Sequence, residues 1–401
     1  MARLTRRLRG AIGLAAVVAA LVEVAWGADS KGPADVLKAW REGVRVRPVS
    51  ADAECHTIHS YFNTSPESPD GRKVVFYAST TPDGHQGELR VLNRATGREE
   101  VIARGVSVED AHRAACEQWV SGGKRVAFHD VREGQWLVAV VDMETGRERV
   151  LVRDRQLGWG QPGGNVVPVY GCHWNPNGHR DLELVDVETG AAKTVVTAAA
   201  VRQKYPDSLS RQFGEREVSI FFPILSPDEK RVFFKLATPG GGDFRSKQAS
   251  IRWGIVCYDL DASRFLFIHA KWGHPAWHPD SRTISQAGGL LIDSDTGSAR
   301  RIPGLPSFRG SHPSISPDGR LFVTDTLTES FGGAKGEWGI VVGRIDNGDF
   351  EIIHRFDNSR GARSWRRSHP HPSFSPDGRR IYFNTNSTEW TRLYVAEAGP
   401  G

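Results

Sequence analysis

Sulfur is scarce in this sequence: 401 residues hold four cysteines and two methionines. Cys55, Cys116, Cys172 and Cys257 are widely spaced, with no Cys-x-x-Cys pair, which excludes a cysteine-built metal knuckle and a disulfide-dense scaffold. A chain of this length buries an adequate core without crosslinks, so the four are either buried free thiols or include one disulfide. Long apolar runs are missing too: the stretch from Ala11 to Val22 is about 12 residues, short of the roughly 20 that span a bilayer. So is a large excess of either charge. The formal charge is +5, but Arg3, Arg6, Arg7 and Arg9 stand against only Glu23 in the first 28 positions. The remainder carries about +2, which argues against a dedicated nucleic-acid binder. There is no Gly-rich phosphate loop, no G-x-S-x-G elbow and no H-E-x-x-H pair. Nucleotide-dependent enzymes, α/β-hydrolases and zincin-type proteases are thereby set aside, and no organic cofactor is expected.

What the chain does have begins at its N-terminus. A basic stretch from Met1 to Arg9, the short apolar run, and small residues at Ala25, Gly27 and Ala28 read as a secretory signal over residues 1–28. The expectation is an exported protein, periplasmic or secreted. Its residues 29–401 are expected to form a single domain, a monomer without a membrane span.

One short phrase then recurs. Ser68-Pro69-Asp70-Gly71-Arg72, Ser226-Pro227-Asp228, Ser316-Pro317-Asp318-Gly319-Arg320 and Ser375-Pro376-Asp377-Gly378-Arg379 each precede a β-rich run such as Val74 to Tyr77. Weaker copies start at Ser121, Asn175 and His278. Proline presets φ early in a turn, and Asp and Gly suit its later positions, so each copy marks a hairpin. A second turn phrase falls between the copies, at Thr96-Gly97, Thr145-Gly146, Thr189-Gly190 and Thr296-Gly297. Two hairpins make four strands, and the seven starts recur about every 51 residues, which predicts an all-β chain folded as a seven-bladed β-propeller with four-stranded blades. The last blade is short, and a strand from Val44 to Val49 is placed to complete it.

Aligning the repeats exposes a histidine column. His274, His312 and His371 each stand four residues before a turn phrase and are each followed by proline, with His369 close by. Equivalent positions on innermost strands circle the channel, so these imidazoles converge either on a divalent metal, zinc or manganese, or on neighbouring blades as structural hydrogen-bonders. The early repeats add His56, His59, His112, Arg113, His129, Tyr170, His173, His179 and Arg180. Histidine, tyrosine and arginine together suit proton transfer near an anion. Arg363, Arg366 and Arg367, and also Arg245, Lys247 and Arg252, form basic windows. These are either a rim that focuses anionic ligands or solvated loops.

These residues resemble known families. The Ser-Pro-Asp-Gly-Arg repeats resemble TolB-type propellers. The run His369-Pro-His371-Pro-Ser-Phe-Ser-Pro-Asp-Gly378, with His312 and His274, resembles the oligogalacturonate lyases of polysaccharide lyase family 22. That resemblance implies a manganese ion held by such histidines with a glutamine, near whose place Arg366 stands. The stretches His56 to Asn63, Glu109 to Cys116 and Tyr170 to Trp174 resemble the ulvan lyases of family 25. Carried over, this implies His112, His129, Tyr170 and Arg180 as catalytic residues, and a structural metal at the His274 cluster. The substrate-binding residues expected beside them are His59, His173, Arg252 and Arg366, and the metal set is His274, His312, His369 and His371. The function implied is β-elimination on a uronate-containing, ulvan-like anionic polysaccharide. His112 or Tyr170 would serve as base, Tyr170 would also be placed to protonate the leaving group, and His129 and Arg180 would hold the carboxylate. The alternatives are a metal-dependent oligogalacturonate-lyase-like enzyme and a non-catalytic binding propeller of the envelope.

Overall fold

The Ser-Pro-Asp phrase closes its turn by side-chain to backbone bonding. Ser68 Oγ donates to Asp70 Oδ1 (2.6 Å) and accepts from the Lys73 amide (3.0 Å), while Asp70 Oδ1 accepts from the Arg72 amide (3.1 Å). The copies at Ser226, Ser316 and Ser375 repeat the Ser–Asp bond at 2.6, 2.6 and 2.7 Å. In the second phrase Asp142 Oδ1 accepts from the amide and hydroxyl of Thr145, and Gly146 takes a left-handed φ of 68° that only glycine adopts freely. The computed structural model, which describes residues 35–309 and 312–400, joins these turns into seven four-stranded antiparallel sheets, a seven-bladed β-propeller. The segment 1–28 read as a signal lies outside the described residues. Among the described residues no helix is long and apolar enough to cross a membrane.

The innermost strands of blades one to seven are His56–Ile58, Gln118–Val120, Arg155–Leu157, Ser219–Leu225, Ala276–Trp277, Ser314–Ile315 and Ser373–Phe374. The strand Arg45–Pro48 pairs with Arg392–Glu397 as the outermost strand of blade seven, inside the segment expected to close the ring. The closure is pinned by Glu67, whose carboxylate accepts two bonds from Arg380 (2.8 and 2.7 Å) and one from the Tyr382 hydroxyl. All four cysteines are buried free thiols.

Blade three departs from the predicted register. Its first hairpin turns at Gln161-Pro162-Gly163-Gly164, where the Gly164 amide donates to the Gln161 carbonyl (3.0 Å). Asn175-Pro176-Asn177-Gly178 instead links the second strand, Val166–Gly171, to the third, Leu182–Asp186. Tyr170 therefore lies on the second strand, opposite Gln156, and does not lead into the innermost one. A Pro-Gly-Gly turn does the same work as Ser-Pro-Asp-Gly, and the phrase-like Asn-Pro-Asn-Gly drew the alignment one strand too far.

The channel is plugged from blade one. Between His56–Ile58 and the Ser68 turn the chain brings Tyr61 and Phe62 to the centre. Tyr61 stacks on Trp159 (5.6 Å, 7°) and meets Phe222 edge-on (5.1 Å). On the turn side of Phe62 a cavity of about 340 Å³ is ringed by Pro69, Pro162, Pro227, Pro279, Pro317 and Pro376, and no ionisable side chain lines it. The chemistry-bearing residues gather on the other side of the plug.

Removing one partner of a buried ion pair leaves an uncompensated charge, which costs about 3–5 kcal/mol. Glu67→Ala is therefore expected to lower the urea-unfolding free energy by that amount; an unchanged midpoint would show that the closure does not depend on this carboxylate.

Candidate active site

Four imidazoles meet beyond the plug. The ligand nitrogens of His112, His312, His369 and His371 all lie within 4.8 Å of one another. His312 precedes the innermost strand of blade six, His369 and His371 precede that of blade seven, and the loop 109–116 between blades one and two brings in His112. Outer partners orient them. His312 Nδ1 donates to the buried Asp325 carboxylate (2.7 Å), and His112 Nδ1 donates to the Arg367 carbonyl (3.1 Å), which leaves each Nε2 as a lone pair. His112 Nε2 and both ring nitrogens of His371 are buried without a hydrogen-bond partner. Burial first, then the charge of Arg366 and the neighbouring rings, holds His112 well below the usual imidazole range. Burial does the same to His371, and brings His369 down to about 4. Oriented imidazoles with orphaned lone pairs are the donor set that zinc or manganese takes, so these residues fit a divalent ion. His274, expected in the metal set, stands beside it: its ring is 4.6 Å from that of His312, but it is not among the four, and His112 takes the place it was assigned.

A second network adjoins the first. Arg252 Nε donates to Ser250 Oγ (2.8 Å), Ser250 Oγ donates to His173 Nδ1 (2.8 Å), and His173 Nε2 donates to Glu109 Oε1 (3.1 Å). Glu109 Oε2 accepts from Arg113 Nη2 (2.5 Å) and Gln156 Nε2 (3.1 Å). Burial opposes ionisation of Glu109, but His173 and then Arg113 outweigh it and hold the carboxyl well below its ordinary range. Arg113 Nη1 also donates to the Tyr170 hydroxyl (2.9 Å), so that hydroxyl keeps its own proton available. Burial pushes the Tyr170 phenol up, and brings Arg252 down to about 10. Arg366 is partly exposed and makes no hydrogen bond or ion pair with any described residue.

The other expected residues are placed as follows. His173, Arg252 and Tyr170 belong to the second network. His129 is buried one strand away, against Trp136 (5.2 Å), which in turn packs on Trp174 and Phe244. His59 is 1% exposed and joins blades one and seven through Ser373 Oγ (3.2 Å) and Asn384. Arg180 is not brought to either network; it pairs with Glu217 (2.8 Å). The expectations missed Glu109, Lys235 and Asp325. Lys235 carried a signal, a lone charge in the apolar run Val232 to Ala237. Asp325 carried none, because only the folded hairpin sets it against His312.

No protein-family model matches the chain, and no curated protein matches it. Among solved structures, an oligogalacturonate lyase in complex with manganese aligns over 89% of this chain and 93% of its own at 19% identity, with a TM-score of 0.60. An oligogalacturonate lyase from Vibrio parahaemolyticus aligns over 88% and 96% at 17% identity, with a TM-score of 0.58. A third, from Agrobacterium tumefaciens and named for TolB, aligns at 14% identity with a TM-score of 0.37, too loose to argue from. At these identities the likeness establishes a shared propeller fold.

Losing an outer-shell partner typically weakens metal binding 10–100-fold. Asp325→Asn is expected to weaken Mn²⁺ or Zn²⁺ binding in calorimetric titration by about that factor. Undiminished affinity would place the ion elsewhere.

Proposed function

We propose that the protein is a lyase that cleaves a uronate-containing anionic polysaccharide by β-elimination. The observation that carries this reading is the pairing, at one end of one channel, of four oriented imidazoles with the guanidinium of Arg366, which no described carboxylate pairs. Elimination removes the C5 proton α to a uronate carboxylate and expels the C4 substituent, so the carboxylate charge must first be offset. Arg366, open and unpaired, and Arg252, held by Ser250, are the side chains that would receive that carboxylate. His112, His312, His369 and His371 would hold the divalent ion, which when bound supplies Lewis-acid neutralisation of the same charge. Tyr170 would give its hydroxyl proton to the leaving oxygen, while Arg113, anchored by Glu109, steadies the phenol oxygen that remains. His129 and Arg180 have no part in this scheme.

The two solved neighbours are named as oligogalacturonate lyases, so an oligogalacturonate-like substrate fits at least as well as an ulvan-like one. The N-terminal reading supports action outside the cytoplasm, on a polymer or its fragments. A non-catalytic binding propeller would leave the orphaned imidazole nitrogens without a role.

The test is absorbance near the unsaturated-uronate band on oligogalacturonate, ulvan and glucuronan, with and without chelator. The expected result is a rise on one substrate that chelation abolishes. No rise on any substrate, with glycan binding intact, would favour the binding-propeller reading. On the substrate that reacts, Tyr170→Phe should lower kcat about 10²–10⁴-fold; full activity would remove Tyr170 from the chemistry.

A further inference from the structure

The proposed elimination lacks a convincing base. The free lone pair of His112 faces the other three imidazoles, and burial works against a Tyr170 phenolate. We infer that Lys235 is the base that removes the C5 proton, an inference that rests on the lyase reading above.

Lys235 sits in the second strand of blade four, Arg231–Pro239, opposite Phe221 of the innermost strand. Pairing slips on both sides of it. The register shifts between Phe221 and Ile224 on the inner side and between Phe234 and Leu236 on the outer side, and Phe222 holds a strained φ of 59°. The double irregularity places the lysine at the channel. Its Nζ lies 4.2 Å from the Trp272 ring centroid and 5.7 and 5.6 Å from those of Phe221 and Phe222, and Phe222 is the residue that meets the Tyr61 plug. Among the described residues nothing accepts a hydrogen bond from this nitrogen or pairs with it. The side chain keeps part of its surface open although protein surrounds it, as a residue facing an internal space does.

The charges that face Lys235 come from several elements: Arg252 on the next strand of the same blade, Arg366 ahead of blade seven, Arg113 ahead of blade two, and His274 ahead of blade five. Glu109, the carboxylate beside Arg113 and Arg252, is already engaged by both and by Gln156 and His173. Burial first, then the guanidiniums, holds the amine well below the ordinary lysine range. A lysine desolvated beside other cations is a neutral amine, the form a base requires. A uronate carboxylate arriving at Arg252 and Arg366 would cancel part of that field and raise the proton affinity of the amine, so substrate binding would strengthen the base. In the step itself the Nζ lone pair takes the C5 proton. The C5–H electron pair becomes the C4=C5 double bond, and the C4–O bond breaks with its pair on the leaving oxygen, which takes the Tyr170 proton. The new ammonium returns its proton to solvent, and the Tyr170 phenolate takes one back from solvent.

Lys235→Met and Lys235→Arg test this on the full chain. Both are expected to lose about 10³-fold in kcat with KM within a few-fold, and small primary amines should partly restore the methionine variant. The wild-type kcat/KM should rise with pH as the amine loses its proton, and that limb should vanish in Lys235→Met. Independently of activity, reductive [¹³C]methylation should yield one dimethyl-lysine NMR signal that titrates well below the others and is absent from Lys235→Met. If the wild type produces unsaturated uronate and Lys235→Met keeps more than one tenth of kcat, Lys235 is not the base and the lyase reading stands. If the wild type produces none on any polymer, the lyase reading fails and the role of Lys235 with it. A Lys235 signal that titrates with ordinary lysines overturns the inference whatever the activity.

Discussion

A polar nitrogen inside a protein costs free energy unless something pairs with it, and this chain leaves several such nitrogens at one end of its channel. His112 and His371 hold unpartnered ring nitrogens, and Arg366 and Lys235 make no bond to any described residue. Elsewhere Glu67 takes two bonds from Arg380 and Asp325 takes one from His312, while both carboxylate oxygens of the buried Glu117 also stand without a partner. Five non-glycine residues near the channel end also carry left-handed backbone, namely Ala114, Cys116, Phe222, His274 and His371, and strained positions of this kind gather where binding or chemistry needs them.

The propeller was legible because each of its turns is locally determined. Ser-Pro-Asp-Gly supplies its own hydrogen bonds, so its recurrence reports hairpins without reference to tertiary contacts. The period then gives the blade count, and the shortness of the last blade gives the closing strand. Blade three shows the limit. Two different turn chemistries lie about one strand apart there, and only pairing with Arg155–Leu157 decides between them. In spite of that error Tyr170 meets the arginine network, because its hydroxyl accepts a bond from Arg113.

The site was legible only in part. A column of equivalent positions finds His312 and His371, and His369 lies on the same loop, but the fourth imidazole belongs to a loop that no repeat describes. His274 fits the column and misses the set, since equal register does not guarantee equal reach. Arg180, carried over from the ulvan-lyase resemblance, lies with Glu217. Lys235 and Asp325 become meaningful only through what faces them, and a linear pattern does not hold that information. Burial links the two networks physically: it keeps His112, His369 and His371 neutral, brings Arg252 down, and leaves the amine of Lys235 poised between them.

The claim most open to refutation is that metal and uronate share one chamber, on the histidine side of the Tyr61–Phe62 plug. Crystals of the Tyr170→Phe variant grown with Mn²⁺ and a uronate oligosaccharide would test it in a single anomalous-difference map. The account predicts one manganese peak bounded by His112, His312, His369 and His371, with a sugar carboxylate directed at Arg252 or Arg366. A sugar seated in the proline-ringed mouth, or no peak among the four histidines, would contradict it.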